Sequence, residues 1–80
     1  MLQLKIVSPE KVVFDGDVQR VVVPGTVGRF EILTDHAPII SSLEEGDVEF
    51  TTLDGENTQF AIRGGFVEVK KNNVSLCVEV

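Results

Sequence analysis

Apolar and polar residues alternate along most of this chain. Leu2, Leu4 and Ile6 are separated by Gln3 and Lys5, Val48 and Phe50 by Glu49, and Phe60 and Ile62 by Ala61. Near the end, Val74, Leu76, Val78 and Val80 alternate with Ser75, Cys77 and Glu79. A period of two sends successive side chains to opposite faces of a strand, so each run predicts a half-buried strand with one face toward a core.

Turn chemistry punctuates these runs. "SPEK" at 8–11, "DGD" at 15–17, "PGTVG" at 24–28, "LDGEN" at 53–57 and "KKNN" at 70–73 are rich in Gly, Pro, Asn and Asp, the residues that turn geometry favours. Asp54-Gly55 between two alternating runs is a hairpin signal. Only "SSLEEG" at 41–46 invites a helix, through the Ser-x-x-Glu spacing of a capping box, and Gly46 stops it where a strand pattern resumes. Turns about every ten residues predict an all-β domain over residues 1–80, a flattened two-sheet β-sandwich of about ten short strands.

Eighty residues bury only about 60 to 65% of the surface the unfolded chain exposes, so the core is marginal and a partner would help it. A share of 42% hydrophobic and 25% charged residues is that of a globular domain and not of a disordered one. The formal net charge of −6 repels phosphate backbones and anionic lipids, which argues against nucleic-acid binding. The basic residues are scattered, and the pair Lys70-Lys71 falls in an expected hairpin turn. No apolar run approaches the roughly 20 residues that span a bilayer, so neither membrane insertion nor a signal peptide is expected. The single cysteine, Cys77, provides no internal disulfide and reads as a small apolar strand residue.

The one histidine stands in "ILTDHAPII", at 32–40. An Asp-His pair suggests proton transfer, but no nucleophile turn accompanies it, and neighbours on an extended chain point to opposite sides. His36 therefore reads as a structural or interface residue. "PGTVG" lacks the Lys-Ser/Thr of a phosphate loop and opens no helix. One His and one Cys forty residues apart do not form a metal centre. No catalytic residue, metal site or cofactor is expected.

The order of the landmarks is more specific. "VVVPGTVGRFEILTDHAPIISSLEEGDVEF" at 21–50 and "IRGGFVEVKKNNVSLCVEV" at 62–80 resemble the epsilon subunit of bacterial F-type rotary ATP synthases, called delta in mitochondria. That family carries a Gly-x-x-Gly loop, a short strand, His-Ala-Pro, a Leu-x-x-Gly bend and a Gly-Gly-Phe/Ile-x-Glu-Val strand in this order. The opening "LQLKIVSPEKVVFDGDVQRVVVPG" is similar to its first strands, so the resemblance spans the chain.

The resemblance implies a non-catalytic central-stalk subunit of the proton-translocating synthase, peripheral on the cytoplasmic side of the bacterial cell membrane. Such a domain couples the gamma subunit to the polar loops of the c ring during rotary ATP synthesis. Carried over by position, Thr26, Val27, Gly28 and Arg29 are the expected c-ring contact, with Arg29 meeting a ring carboxylate or carbonyl where relatives carry acidic residues. His36, Ala37 and Pro38 are the expected gamma-facing region, and Pro38 suits a strand start or sheet edge. Glu31 and Asp35 stand where many members have glycine, which predicts a less strained backbone there. The family's helical arm and its nucleotide site have no counterpart within residues 1–80, so no ATP binding is expected. The alternatives are a biotinyl- or lipoyl-type carrier, for which Lys70-Lys71 lacks the usual neighbours, and a generic protein-interaction domain.

Overall fold

The computed structural model describes all residues, Met1–Val80. Eight strands follow one another: β1 (Leu2–Val7), β2 (Val12–Gly25), β3 (Gly28–Ile32), β4 (Ile39–Leu43), β5 (Gly46–Thr52), β6 (Asn57–Ile62), β7 (Gly64–Lys70) and β8 (Asn73–Glu79). There is no helix, and "SSLEEG" is the end of β4 followed by a bend at Glu45 before β5 begins at Gly46.

Hydrogen bonding joins all eight strands into one sheet that folds over on itself. One layer runs β4-β7-β8-β1 and takes in the first half of β2; the other runs β6-β5-β2-β3 through its second half. Pairing is antiparallel except for β1 with β8. The molecule measures 27 × 24 × 18 Å, and its thinnest dimension fits two layers about 10 Å apart with their outer side chains.

The strand count is eight and not about ten because "DGD" is no turn. Asp15, Gly16 and Asp17 pair with Lys5, Leu4 and Gln3 inside the 14-residue β2. Gly16 serves packing here: a Cβ at that position would lie 3.2 Å from the Phe14 ring, which stacks on Phe50 with centroids 4.3 Å apart.

A single strand can serve both layers because of a bulge. Val18 pairs with Thr52 and Arg20 with Thr51, leaving Gln19 as an extra residue. The inward phase accordingly moves from Val18 to Val21 and Val23, all fully buried. Gln19 donates its side-chain amide to the carbonyls of Thr52 and Leu53, at 3.0 and 3.1 Å, so the bulge strands no carbonyl there.

The core is one cluster fed by every strand, including Leu2, Leu4, Ile6, Val48, Phe50, Ile62, Val67 and Leu76, as the alternation predicts. Val80 is the exception: the ladder ends at Gly64 with Glu79, and Val80 is exposed. Gly65 has φ 146°, and a Cβ there would fall 2.1 Å from the Cys77 carbonyl oxygen. Only glycine fits where β7 presses on β8.

Candidate docking surface

The two outer faces of the sandwich are built differently. On the β6-β5-β2-β3 layer, Arg20 Nε donates to Glu31 at 2.6 Å, and Arg29 donates to Glu49 at 2.9 Å and to the Asp47 carbonyl at 2.6 Å. Pro24 lies beside Arg29, and Val22 lies beside both Glu31 and Glu49, so the Arg29 side chain crosses β2 to reach β5. Val22 points outward, opposite in phase to Val21 and Val23, yet is only 8% exposed. The arginine stems and ion pairs roof it over. Gln59 adds a bond to Asp47.

The outer face of the β4-β7-β8-β1 layer carries no such roof. Cross-strand register places Ser42 beside Phe66, Phe66 beside Cys77, and Cys77 beside Val7, with Ile40 one step along β4. Ile40 is 73% exposed and Phe66 51%. Val7, Pro9, Phe66 and Cys77 line a shallow depression of about 510 Å³, and Pro38 and Ile40 line a neighbouring one of about 460 Å³. Glu68 lies beside Ile40 and Lys5 ends the same cross-strand row, with Lys70 one row further. Charged residues thus flank the apolar row of Phe66, Cys77 and Val7, a composition that suits a protein-binding patch. The signal for Phe66 was present in "GGFVEVK", where alternation sets it with Glu68 and Lys70 against the buried Val67 and Val69. An outward aromatic at such a position was the available clue.

Strand β4 links the two segments singled out from sequence. His36, Ala37 and Pro38 run directly into its start at Ile39. At its far end Thr26 N–H donates to the Ser42 carbonyl at 3.1 Å, and Glu44 N–H to the Pro24 carbonyl at 2.9 Å. The five residues of β4 set the segments about 17 Å apart. Strand β4 pairs along its whole length with β7 but pairs with β2 only at Gly25 with Leu43. It is nearly an edge, as Pro38 implied.

Within the 26–29 segment, Thr26 and Val27 form the tip of the β2–β3 hairpin. Val27 is 97% exposed, and Gly28 takes φ 136°. Gly25 keeps the base tight, since a Cβ there would meet the Gly28 carbonyl at 2.7 Å. The Arg29 guanidinium is turned back onto β5, where it meets a carboxylate and a carbonyl of its own chain.

The Asp35-His36 pair does not form a dyad. His36 Nδ1 faces the Ala37 carbonyl at 2.8 Å, and its ring lies 6.5 Å from that of Phe30. The Asp35 carboxylate accepts instead from Asn72 Nδ2 at 3.3 Å. Two expectations are corrected here. Thr34 and Asp35 form a turn closed by His36 N–H on the Leu33 carbonyl, so opposed strand faces are not what separates the side chains. Replacing a glycine has also not relaxed the backbone at Asp35, which has φ 65°. Aspartate tolerates this left-handed region better than most residues. Glu31, by contrast, sits in regular strand against Val22. Asn72 was not singled out from sequence, because nothing local says what lies across the fold from it.

Comparison with known proteins brings these features together. Residues 1–80 match the family described as ATP synthase, Delta/Epsilon chain, beta-sandwich domain. The chain is 40% identical over 77 residues to the ATP synthase epsilon chain of Chlorobium limicola, covering 96% of this chain and 88% of that one. It is also 40% identical over 79 residues to the epsilon chain of Leptospira borgpetersenii, of which it spans 61%. Its fold matches a chain in a structure of the Euglena gracilis mitochondrial ATP synthase comprising OSCP, F1 and c-ring, with TM-score 0.90 and 20% identity, over 96% of this chain and 49% of that one. A chain in the central stalk and c-ring structure of the Tetrahymena thermophila enzyme matches with TM-score 0.83, 16% identity and coverage of 99% and 63%.

Proposed function

The chain belongs to the delta/epsilon family of ATP synthase, non-catalytic subunits of that complex, and from this premise we propose that it couples gamma to the c ring in the central stalk. Gamma docks along β4 and the apolar strip of Ile40 and Phe66, with His36, Ala37 and Pro38 at one margin. The hairpin of Thr26, Val27, Gly28 and Arg29 approaches the polar loops of the ring. The domain turns with both partners, transmits torque, and stands peripherally on the cytoplasmic side of the bacterial membrane.

The observation that carries this reading is that β4 spans from the His36 segment to the Thr26 hairpin and presents Ile40 between them. One rigid strand can thus hold two partners at a fixed separation, which torque transfer requires. The alternative of a biotinyl- or lipoyl-type carrier is set aside, because the family match extends over the whole chain.

Co-expression with gamma, with and without the c ring, followed by size-exclusion chromatography, tests the proposal. A one-to-one complex with gamma is expected, and its recruitment to the ring is expected to depend on the 26–29 hairpin. A chain that elutes alone from cells making both partners overturns it.

A further inference from the structure

The loop carrying His36 is tied to the β7–β8 turn by one residue. Asn72 Oδ1 accepts the Asp35 N–H at 2.7 Å, and Asn72 Nδ2 returns a bond to the Asp35 carboxylate at 3.3 Å. The Asn72 backbone carbonyl in turn accepts the Gln3 N–H at 2.8 Å. One contacting residue, Asp35, lies in left-handed backbone with φ 65°, and Lys71, which precedes Asn72 in the chain, has φ 58°; they are the only non-glycine residues with positive φ. Such conformations persist where surrounding bonds over-determine them. The paired side-chain bonds from Asn72 do so for Asp35.

The consequence falls on the next residue. With Asp35 held left-handed, His36 closes a turn on Leu33 and its Nδ1 faces the Ala37 carbonyl. A carbonyl accepts only, so a hydrogen bond at this contact requires the proton of the neutral imidazole on Nδ1, the tautomer that leaves Nε2 as an acceptor.

We propose that Asn72 is a positioning residue that, through Asp35, presents His36 Nε2 as a hydrogen-bond acceptor for an N–H or O–H donor on the docking partner. This rests on the reading that gamma docks at the His36 margin. It makes the β3–β4 loop and the β7–β8 turn a single recognition surface.

The test uses the full chain with Asn72→Ala and with the exchanged pair Asp35→Asn/Asn72→Asp, in which carboxylate and amide trade ends and both bonds can re-form. Imidazole ¹⁵N shifts, recorded at a pH where the ring is neutral, report the tautomer, and titration with gamma reports affinity. The unsubstituted chain is expected to show the Nδ1–H form. Asn72→Ala shifts His36 toward the Nε2–H form and weakens gamma binding about tenfold, the scale of one hydrogen bond. The exchanged pair restores both readouts to within about twofold. Unchanged tautomer and affinity in Asn72→Ala, or no recovery in the exchanged pair, overturns this proposal alone. Failure of the unsubstituted chain to bind gamma overturns the docking reading and this proposal with it.

Discussion

The two outer faces of this small sandwich begin from the same alternation and end in opposite states. On the layer containing β3, β5 and β6, arginines reach carboxylates of neighbouring strands and cover the one outward valine. On the layer containing β4, β7 and β8, Ile40 and Phe66 are left in the open beside Cys77 and Val7. A face that satisfies itself has little to gain from a partner. A face with uncovered apolar area gains about 25 cal/mol for each Å² it buries. The contrast therefore supports the docking side proposed for gamma, since only the open face has apolar area left to bury.

The largest effect comes from removing the open face altogether. Gly65→Ala forces a Cβ onto the Cys77 carbonyl at a backbone angle alanine resists, so a loss of roughly 3 kcal/mol is expected from strain and overpacking. Urea unfolding measures it, and a midpoint equal to that of the unsubstituted chain refutes the tight β7–β8 approach. The next substitution breaks the contrast without touching the fold. Ile40→Glu is expected to change stability by less than about 0.5 kcal/mol while costing about 2 kcal/mol or more of gamma association, as for an anchor at an interface centre. Glu31→Gln on the other face is expected to leave association unchanged, and equal losses from both substitutions would erase the distinction.

A smaller effect tests the self-satisfied face. Arg29→Ala removes the ion pair with Glu49 and uncovers Val22 and Pro24, for about 1 kcal/mol. Unfolding at low and high salt separates the two parts, since only the ion pair is screened. Arg29→Glu sets a third carboxylate beside Glu49 and Asp47 and is expected to be worse than alanine. Weakened assembly in that variant counts as ring recognition only where Arg29→Ala, at matched stability, also weakens it.

The smallest effect lies away from both faces, in the β5–β6 loop. The Thr52 hydroxyl, with help from the Asp54 amide, holds the Asp54 carboxyl below its ordinary value of 3.8, although desolvation opposes the shift. A depressed folded value means that the stabilisation is present above the ordinary value and is lost as pH falls through the folded one. Asp54→Asn should flatten stability against pH only below about pH 4. A difference at neutral pH that grows with pH contradicts this origin.

Much of the fold was legible because strand alternation is a local property. Leu2, Leu4, Ile6, Val48, Phe50, Ile62, Val74 and Leu76 all face the core as their spacing requires. The misreading at "DGD" has a local cause too: Gly between two aspartates has turn composition, and only the Phe14 ring lying over Gly16 explains its place in a strand. Resemblance singles out the 26–29 and 36–38 segments, but not the intrachain bonds of Arg29 or the backbone at Asp35. Both depend on residues 20 and 37 positions away.

By itself, then, the sequence determined the strands, their inward faces, most turns and the family, because each is written in residue order and short-range spacing. The tertiary structure alone decided which outward residues are covered. Phe66 and Val22 both point away from the core, yet arginines from neighbouring strands close over one and nothing closes over the other. Burial of an outward side chain depends on what register brings across from distant strands, and register is settled only when the whole sheet closes.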